Sequence, residues 1–144
     1  MAEIPTPTTG YAAPARSRPL GVTIIAILMI LGALMNLIGS PVNFAYGAAY
    51  GSFYTVIGVI NLIIGIALFQ LIPWARMAAI IMELIGIIVG LLVTIWMGAI
   101  LEIYLPGITS LLMISMIPSV IIGLIVVIYL MQGSVKAAFE GTTW

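Results

Sequence analysis

The chain has 144 residues, four basic and four acidic side chains, and a composition that is 64% hydrophobic and only 6% charged. Because a soluble domain carries roughly 25% charged residues, so few charges cannot cover a water-facing surface. The zero net charge gives no attraction to nucleic acid, and the absence of histidine and cysteine excludes disulfides and most metal and acid–base sites. We therefore expect no enzyme activity, no cofactor and no nucleic-acid partner.

The first 19 residues are rich in proline, threonine and alanine, a composition that is typical of a flexible tail without a buried core. The tail ends at Pro19, which suits the first turn of a helix because the missing N–H is not needed there. Residues 1–19 are therefore predicted to lie outside the membrane, ahead of the first span.

Four apolar segments follow, each long enough to cross a bilayer as a helix. About 20 residues with a rise of 1.5 Å each span the roughly 30 Å hydrocarbon core. The spans are predicted at residues 20–39, 52–72, 77–100 and 108–131, with a loop at 41–51 and a turn at 73–76. Because short turns make consecutive helices antiparallel neighbours, the sequence predicts an all-α, antiparallel four-helix membrane bundle over residues 20–131.

Residues 132–144 are predicted to form an interfacial tail. Gly133 fits a helix C-cap, and Ser134 is placed to N-cap a short helix that ends near Glu140. An apolar face of that helix would lie at the membrane surface. Its members are Val135, Ala138 and Phe139.

The basic residues predict the orientation. Four spans put the N-terminal tail, the 73–76 turn and the C-terminal tail on one side, and these regions hold all the basic side chains: Arg16, Arg18, Arg76 and Lys136. The other two loops hold only Glu102, which we expect to be solvated. The excess of basic residues on the cytoplasmic side of membrane proteins places both termini in the cytoplasm of a cell-membrane protein.

Small and weakly polar residues recur along each span at spacings of three, four or seven, which keeps them on one helical face. Such faces mark helix contacts in membranes, so we expect them to hold the bundle together, with a polar path through the bundle as the alternative. Asn36 and Asn61 are expected to hydrogen-bond a neighbouring helix. The full set is Gly32, Asn36 and Gly39; Gly58, Asn61 and Gly65; Gly86, Gly90 and Thr94; and Ser115, Ser119 and Gly123.

Glu83 is the acidic residue inside a predicted span. It follows Arg76 by seven residues, about 10 Å deeper in the membrane, and shares a face with Gly86 and Gly90. Because a charge in hydrocarbon is costly, Glu83 should point into the bundle or at a partner. Three interpretations stay open: an ion pair with Arg76 or a neighbouring helix, a contact with another subunit, or a proton- or cation-binding carboxylate of a transporter.

Three short segments at the span ends carry a resemblance: Arg18-Pro19-Leu20-Gly21-Val22-Thr23, Pro73-Trp74-Ala75-Arg76 and Val135-Lys136-Ala137-Ala138-Phe139. In these segments the chain resembles small four-span membrane proteins of bacteria and archaea that are grouped as domains of unknown function. The resemblance implies a prokaryotic cell membrane and the four-span topology, and it brings no catalytic or binding residues.

The sequence thus favours a structural or accessory subunit of a larger membrane complex. The alternative is a small homo-oligomeric transporter or channel that uses Glu83. The partners would be the lipid bilayer and other membrane subunits or further copies of the chain. The candidate functional or packing residues are Glu83, Arg76, Asn61, Asn36, Gly86 and Gly90.

Overall fold

A computed structural model of the protein describes residues 18–141, so most of the predicted N-terminal tail and the last three residues lie outside the described chain. The described part contains helices and no strand. The helices are α1 (Leu20–Ile38), α2 (Ser40–Ala45), α3 (Ala48–Phe69), α4 (Pro73–Leu101), α5 (Ile108–Met131) and α6 (Gly133–Glu140). Since α1, α3, α4 and α5 are long and apolar enough to cross a membrane, the predicted all-α fold is confirmed and the protein is a multi-pass membrane protein.

The connection predicted as a loop at residues 41–51 is mostly helical. Pro41 falls in the first turn of α2, where a residue without an N–H is tolerated. Gly47 separates α2 from α3 with a φ of 127°, a backbone conformation that residues with a side chain rarely adopt. The second membrane helix therefore begins at Ala48 rather than at Ser52.

The turn between the second and third spans lies earlier than the sequence predicts. Pro73 does not end a helix but begins α4, and the preceding Ile72 has the extended conformation that a following proline favours. The chain reverses between Phe69 and Pro73, where Leu71 has a φ of 59°. That conformation costs about 1–2 kcal/mol for a residue with a side chain. The Leu71 side chain is 7% exposed, so apolar burial compensates for it.

Helices α1 and α3 form one antiparallel pair that packs through glycines on α3. Gly58 and Gly65 are buried and seven residues apart, which places them on one face of the helix. A Cβ atom at Gly58 would lie 3.1 Å from Leu37 Cδ2, and one at Gly65 would lie 2.9 Å from Ile30 Cγ1 and 3.2 Å from the Ile30 backbone nitrogen. The absence of side chains on this face lets α1 approach closely.

Helices α4 and α5 form the second pair, and its contacts repeat every seven residues along α5, as in antiparallel coiled coils. In three of the four contacts a glycine on one helix accommodates a larger side chain of the other helix. The contacts are Leu130 with Arg76, Gly123 with Glu83, Met116 with Gly90, and Thr109 with Gly98.

The two pairs meet mainly at the end of the bundle that carries Arg18, Arg76 and Lys136, which we call the basic end. The connected cluster of buried side chains lies in this half of the bundle. Its members are Val22, Ile25, Ala26, Ile64, Ala67, Leu68, Leu71, Ala75, Ala79, Ile80, Val127, Leu130, Val135 and Phe139. Here the ring of Tyr129 lies directly against Gly21, where an added Cβ atom would clash with it. The α1–α3 and α4–α5 pairs are therefore joined at the basic end.

Helix α6 closes the basic end. Gly133 is the first residue of α6 and not the predicted C-cap, because the chain breaks one residue earlier, at the extended Gln132. Ser134 makes no side-chain capping bond. Val135 and Phe139 are 2% and 1% exposed and belong to the buried cluster, so the predicted apolar face of α6 packs against the bundle.

Candidate functional site

Glu83 lies in α4, ten residues after Pro73, which places it about 15 Å along the helix from the basic end. The side chain is half-buried and lies against Gly123 of α5, where a Cβ atom would be 2.7 Å from Glu83 Oε1. Gly123 therefore provides the space that the carboxylate occupies. Among residues 18–141, no ion pair and no hydrogen bond reaches this carboxylate.

Arg76 does not form the ion pair with Glu83 that was one of the three interpretations. Its Nη1 donates a hydrogen bond of 3.1 Å to the backbone carbonyl of Leu130. That carbonyl belongs to the last turn of α5, where backbone oxygens have no partner within the helix. The antiparallel pairing brings this free carbonyl beside the first turn of α4, whereas Glu83 is two helical turns away. Arg76 thus fastens α5 to α4 at the basic end.

Gly86 does not hold two helices of this chain together, and Gly90 meets α5 only at the tip of the Met116 side chain. They line a groove of about 350 Å³ between α3 and α4. A Cβ atom at Gly86 would have nothing within 4 Å, and one at Gly90 would meet only Met116 Cε at 3.1 Å. The closest α4–α5 contacts are at Gly98 and Gly123. The spacing of four residues between Gly86 and Gly90 therefore identified a shared face but not which helix packs against it.

The two asparagines have different surroundings. Asn61 lines the same groove, and its amide makes no hydrogen bond to any residue of the described chain. Asn36 accepts a long hydrogen bond of 3.5 Å from Asn43 in α2, so it does not bond a neighbouring membrane helix. Of the two, only Asn61 presents an unused hydrogen-bonding group to the groove.

Aromatic side chains gather at the end of α3 opposite the basic end. Tyr50 stacks on Tyr54 with a centroid distance of 4.5 Å, and Tyr46 and Phe53 contact these two rings edge-on at 6.0 and 5.5 Å. Phe53 and Tyr54 also line the groove. The spacing of four residues between Tyr50 and Tyr54 is the sequence signal for this cluster, because residues four apart are neighbours on a helix. Tyr46 precedes the helix break at Gly47, so helical spacing does not account for its contact.

Glu102 is not simply solvated, as the sequence suggested. Its Oε1 accepts a 2.6 Å hydrogen bond from the Gly107 backbone N–H, and its Oε2 accepts bonds from the Thr109 hydroxyl at 2.6 Å and the Thr109 N–H at 3.0 Å. The carboxylate thus caps the start of α5 from the end of α4. The Thr109 hydroxyl and these two N–H groups lower the pKa of Glu102 below its ordinary value.

The α4–α5 loop should therefore be acid-sensitive. Because the pKa of Glu102 is lowered in the folded protein, its stabilising effect is complete above the ordinary carboxyl pKa and is lost as pH falls through the folded-state value. We expect wild-type stability in detergent to fall below about pH 4.5 more steeply than that of Glu102→Gln. Unfolding by sodium dodecyl sulfate, followed by circular dichroism from pH 7 to pH 3, measures the difference. Parallel curves for the two proteins would contradict the capping role.

Comparisons with family models, with curated proteins and with solved structures give no match to this chain. The resemblance to small four-span membrane proteins therefore stays a prediction that rests on three short segments. The function has to be inferred from the geometry around Glu83 and the groove.

Proposed function

We propose that this protein is a structural or accessory subunit of a larger membrane protein complex in a prokaryotic cell membrane. The observation that carries the proposal is the carboxylate of Glu83, which lies within a membrane-spanning helix and has no ion-pair or hydrogen-bond partner among residues 18–141. On translocon-insertion scales a charged side chain costs about 2.5–3.5 kcal/mol at the centre of a membrane helix, and membrane proteins offset such a cost by pairing the charge. A partner subunit would supply the pairing group.

The basic side chains of the described chain are all engaged elsewhere. Arg76 donates to the Leu130 carbonyl, and Lys136 forms a 3.3 Å ion pair with Glu140. The guanidinium of Arg18 lies 4.0 Å from the centre of the Phe69 ring, a cation–π contact. We infer that the group that balances Glu83 comes from another polypeptide, as a basic or hydrogen-bond-donating side chain at the same depth.

The proposed orientation has both termini and the α3–α4 turn in the cytoplasm. Arg18, Arg76 and Lys136 lie at the same end of the bundle, and Glu102 lies at the opposite end. This distribution follows the general excess of lysine and arginine on the cytoplasmic side. The partner's group would then meet Glu83 in the cytoplasmic half of the membrane.

Native mass spectrometry of the protein gently extracted from its own membranes tests the proposal. We expect the wild-type chain to copurify with another polypeptide at fixed stoichiometry, and Glu83→Gln to weaken that association at least about tenfold, since a lost charge contact of 1.4 kcal/mol has this effect. Glu140→Gln makes the same chemical change at an exposed surface ion pair and should leave assembly unchanged. A wild-type chain that is strictly monomeric in native lipid would refute the accessory role.

The second candidate is a homo-oligomeric transporter or channel, and the contact between Glu83 and Gly123 is what favours it. Because Gly123 has no side chain, the half-buried carboxylate fits against α5, and in this role it would bind a proton or a small cation. This alternative predicts homo-oligomers without a foreign subunit, and pH-dependent ion flux in proteoliposomes. The flux should disappear in Glu83→Gln and persist in Glu140→Gln.

A further inference from the structure

The groove between α3 and α4 is a feature that the proposed subunit role does not use. Its lining is largely apolar and aromatic, and two methionines give it adaptable walls. The lining residues are Phe53, Tyr54, Ile57, Asn61, Met82, Ile85, Gly86, Val89, Gly90, Val93, Thr94 and Met116. Phe53 and Ile85 are 50% and 44% exposed, so the groove is open at its side toward the bilayer.

Asn61 places an amide without a hydrogen-bond partner from the described chain in the lining of the groove. It lies 13 residues after the start of α3 and eight before its end, about 20 and 12 Å from the two ends of the helix. Its amide therefore lies within the hydrocarbon region, where an unsatisfied polar group is unfavourable. No residue between 18 and 141 hydrogen-bonds to it. The hydroxyl groups of Tyr54 and Thr94 add further polar atoms to the lining.

The size of the groove suits a small molecule. The lining of α4 runs from Met82 to Thr94, about 18 Å along the axis. The groove offers about 350 Å³, which lies within the range of small-molecule pockets.

The depth of Asn61 in the membrane further restricts the chemical class of the ligand. A phospholipid places its polar headgroup at the membrane surface, and its acyl chain offers no hydrogen-bond acceptor at the depth of Asn61. We propose that the groove binds an uncharged lipophilic molecule whose carbonyl or hydroxyl oxygen accepts a hydrogen bond from the Asn61 side-chain amide. The apolar body of this molecule lies over Gly86 and Gly90 and between Met82 and Met116. This proposal does not depend on the accessory-subunit role.

Benzophenone is a suitable probe, because it is a lipophilic ketone that forms covalent adducts with nearby C–H groups under ultraviolet light. The full-length protein in phosphatidylcholine vesicles is irradiated with benzophenone, and peptide mass spectrometry locates the adducts. We expect labelling at Met82 and Met116 to exceed that at Met131, which is 63% exposed on the outside of α5. Diphenylacetone should compete more effectively than 1,3-diphenylpropane, which differs from it only in lacking the carbonyl.

Matched variants separate the hydrogen bond from the shape of the groove. Asn61→Leu replaces the amide with an apolar group of similar size, and we expect it to reduce labelling about fivefold and to remove the advantage of the ketone competitor. Asn36→Leu, outside the groove, should change neither. Gly86→Leu should also abolish labelling without unfolding the protein, because the space at Gly86 is open.

Three results would overturn the proposal. The first is labelling at Met82 and Met116 no stronger than at Met131, which would show only partitioning into lipid. The second is equal labelling of wild type and Asn61→Leu, or equal competition by the two competitors, which would exclude the hydrogen bond. The third is strong labelling of the bare chain that vanishes when a copurifying polypeptide is present, which would assign the groove to a partner helix.

Discussion

Gly65→Ala is expected to lower the free energy of unfolding by about 1–2 kcal/mol, although alanine is the better helix former. The new Cβ atom would lie 2.9 Å from Ile30 Cγ1 and 3.2 Å from the Ile30 backbone nitrogen. A side chain can rotate away, but the backbone of α1 can move only if the α1–α3 pair separates. Overpacking of this kind costs about 1–3 kcal/mol, which exceeds the gain of up to about 1 kcal/mol in helix propensity. Gly65→Val should have a larger effect in the same direction.

Gly32→Ala is the matched control for Gly65→Ala. Both glycines belong to the small-residue stripes of the same helix pair, yet a Cβ atom at Gly32 would meet nothing within 4 Å. We expect Gly32→Ala to be neutral or stabilising by up to about 1 kcal/mol. Titration of the detergent-solubilised protein with sodium dodecyl sulfate, followed by circular dichroism, gives both values. If the two variants had equal stability, the α1–α3 contact described here would be wrong.

The positions of the spans were predictable because they depend on local properties of the chain. A long uncharged apolar segment has to be helical in a bilayer, and α5 covers the same residues as the predicted fourth span, Ile108–Met131. The helix ends were less predictable. Pro73 is compatible both with the residue after one helix and with the first residue of the next, and the left-handed turn at Leu71 has no glycine to indicate it.

The small-residue face of each helix was predictable, but the helix that packs against each face was not. Gly58 and Gly65 are seven residues apart and therefore share one face of α3. This spacing does not show whether the face packs against α1 or lines a groove. Gly86 has the same spacing signals as Gly65, yet the structure leaves it without a neighbour. The difference arises because the α1–α3 and α4–α5 pairs join mainly at the basic end, and this is a property of tertiary packing.

The surroundings of the charged residues were the least predictable part. The membrane depth of Glu83 follows from its position in the span, but the space at Gly123 depends on the register between α4 and α5. The role of Glu102 depends on the conformation of the α4–α5 loop. The loop turns at Gly107, which has a φ of 88°, so that Gly107 and Thr109 both hydrogen-bond to the Glu102 carboxylate. Sequence spacing alone does not encode that geometry.

Arg76→Met is expected to destabilise the protein by about 1.5–3 kcal/mol, the range measured for hydrogen bonds that involve a charged group. The guanidinium binds the Leu130 carbonyl at 3.1 Å and so joins the first turn of α4 to the last turn of α5, directly ahead of α6. Arg76→Lys keeps the positive charge that directs membrane insertion, but it lacks the planar group that reaches this carbonyl, so it should recover only part of the loss. Unfolding in sodium dodecyl sulfate, followed by circular dichroism, provides the measurement.

A double-mutant cycle with Glu83→Gln distinguishes this arrangement from the ion pair that the sequence also allowed. Because Arg76 is bound to α5 and Glu83 lies against Gly123, the effects of Arg76→Met and Glu83→Gln should add to within about 0.5 kcal/mol. A coupling energy above about 1 kcal/mol would show that the two side chains pair in the membrane, and the need for an external partner would disappear. Additivity in the purified chain, together with the loss of a copurifying subunit in Glu83→Gln, would mean that the carboxylate is balanced across a subunit interface.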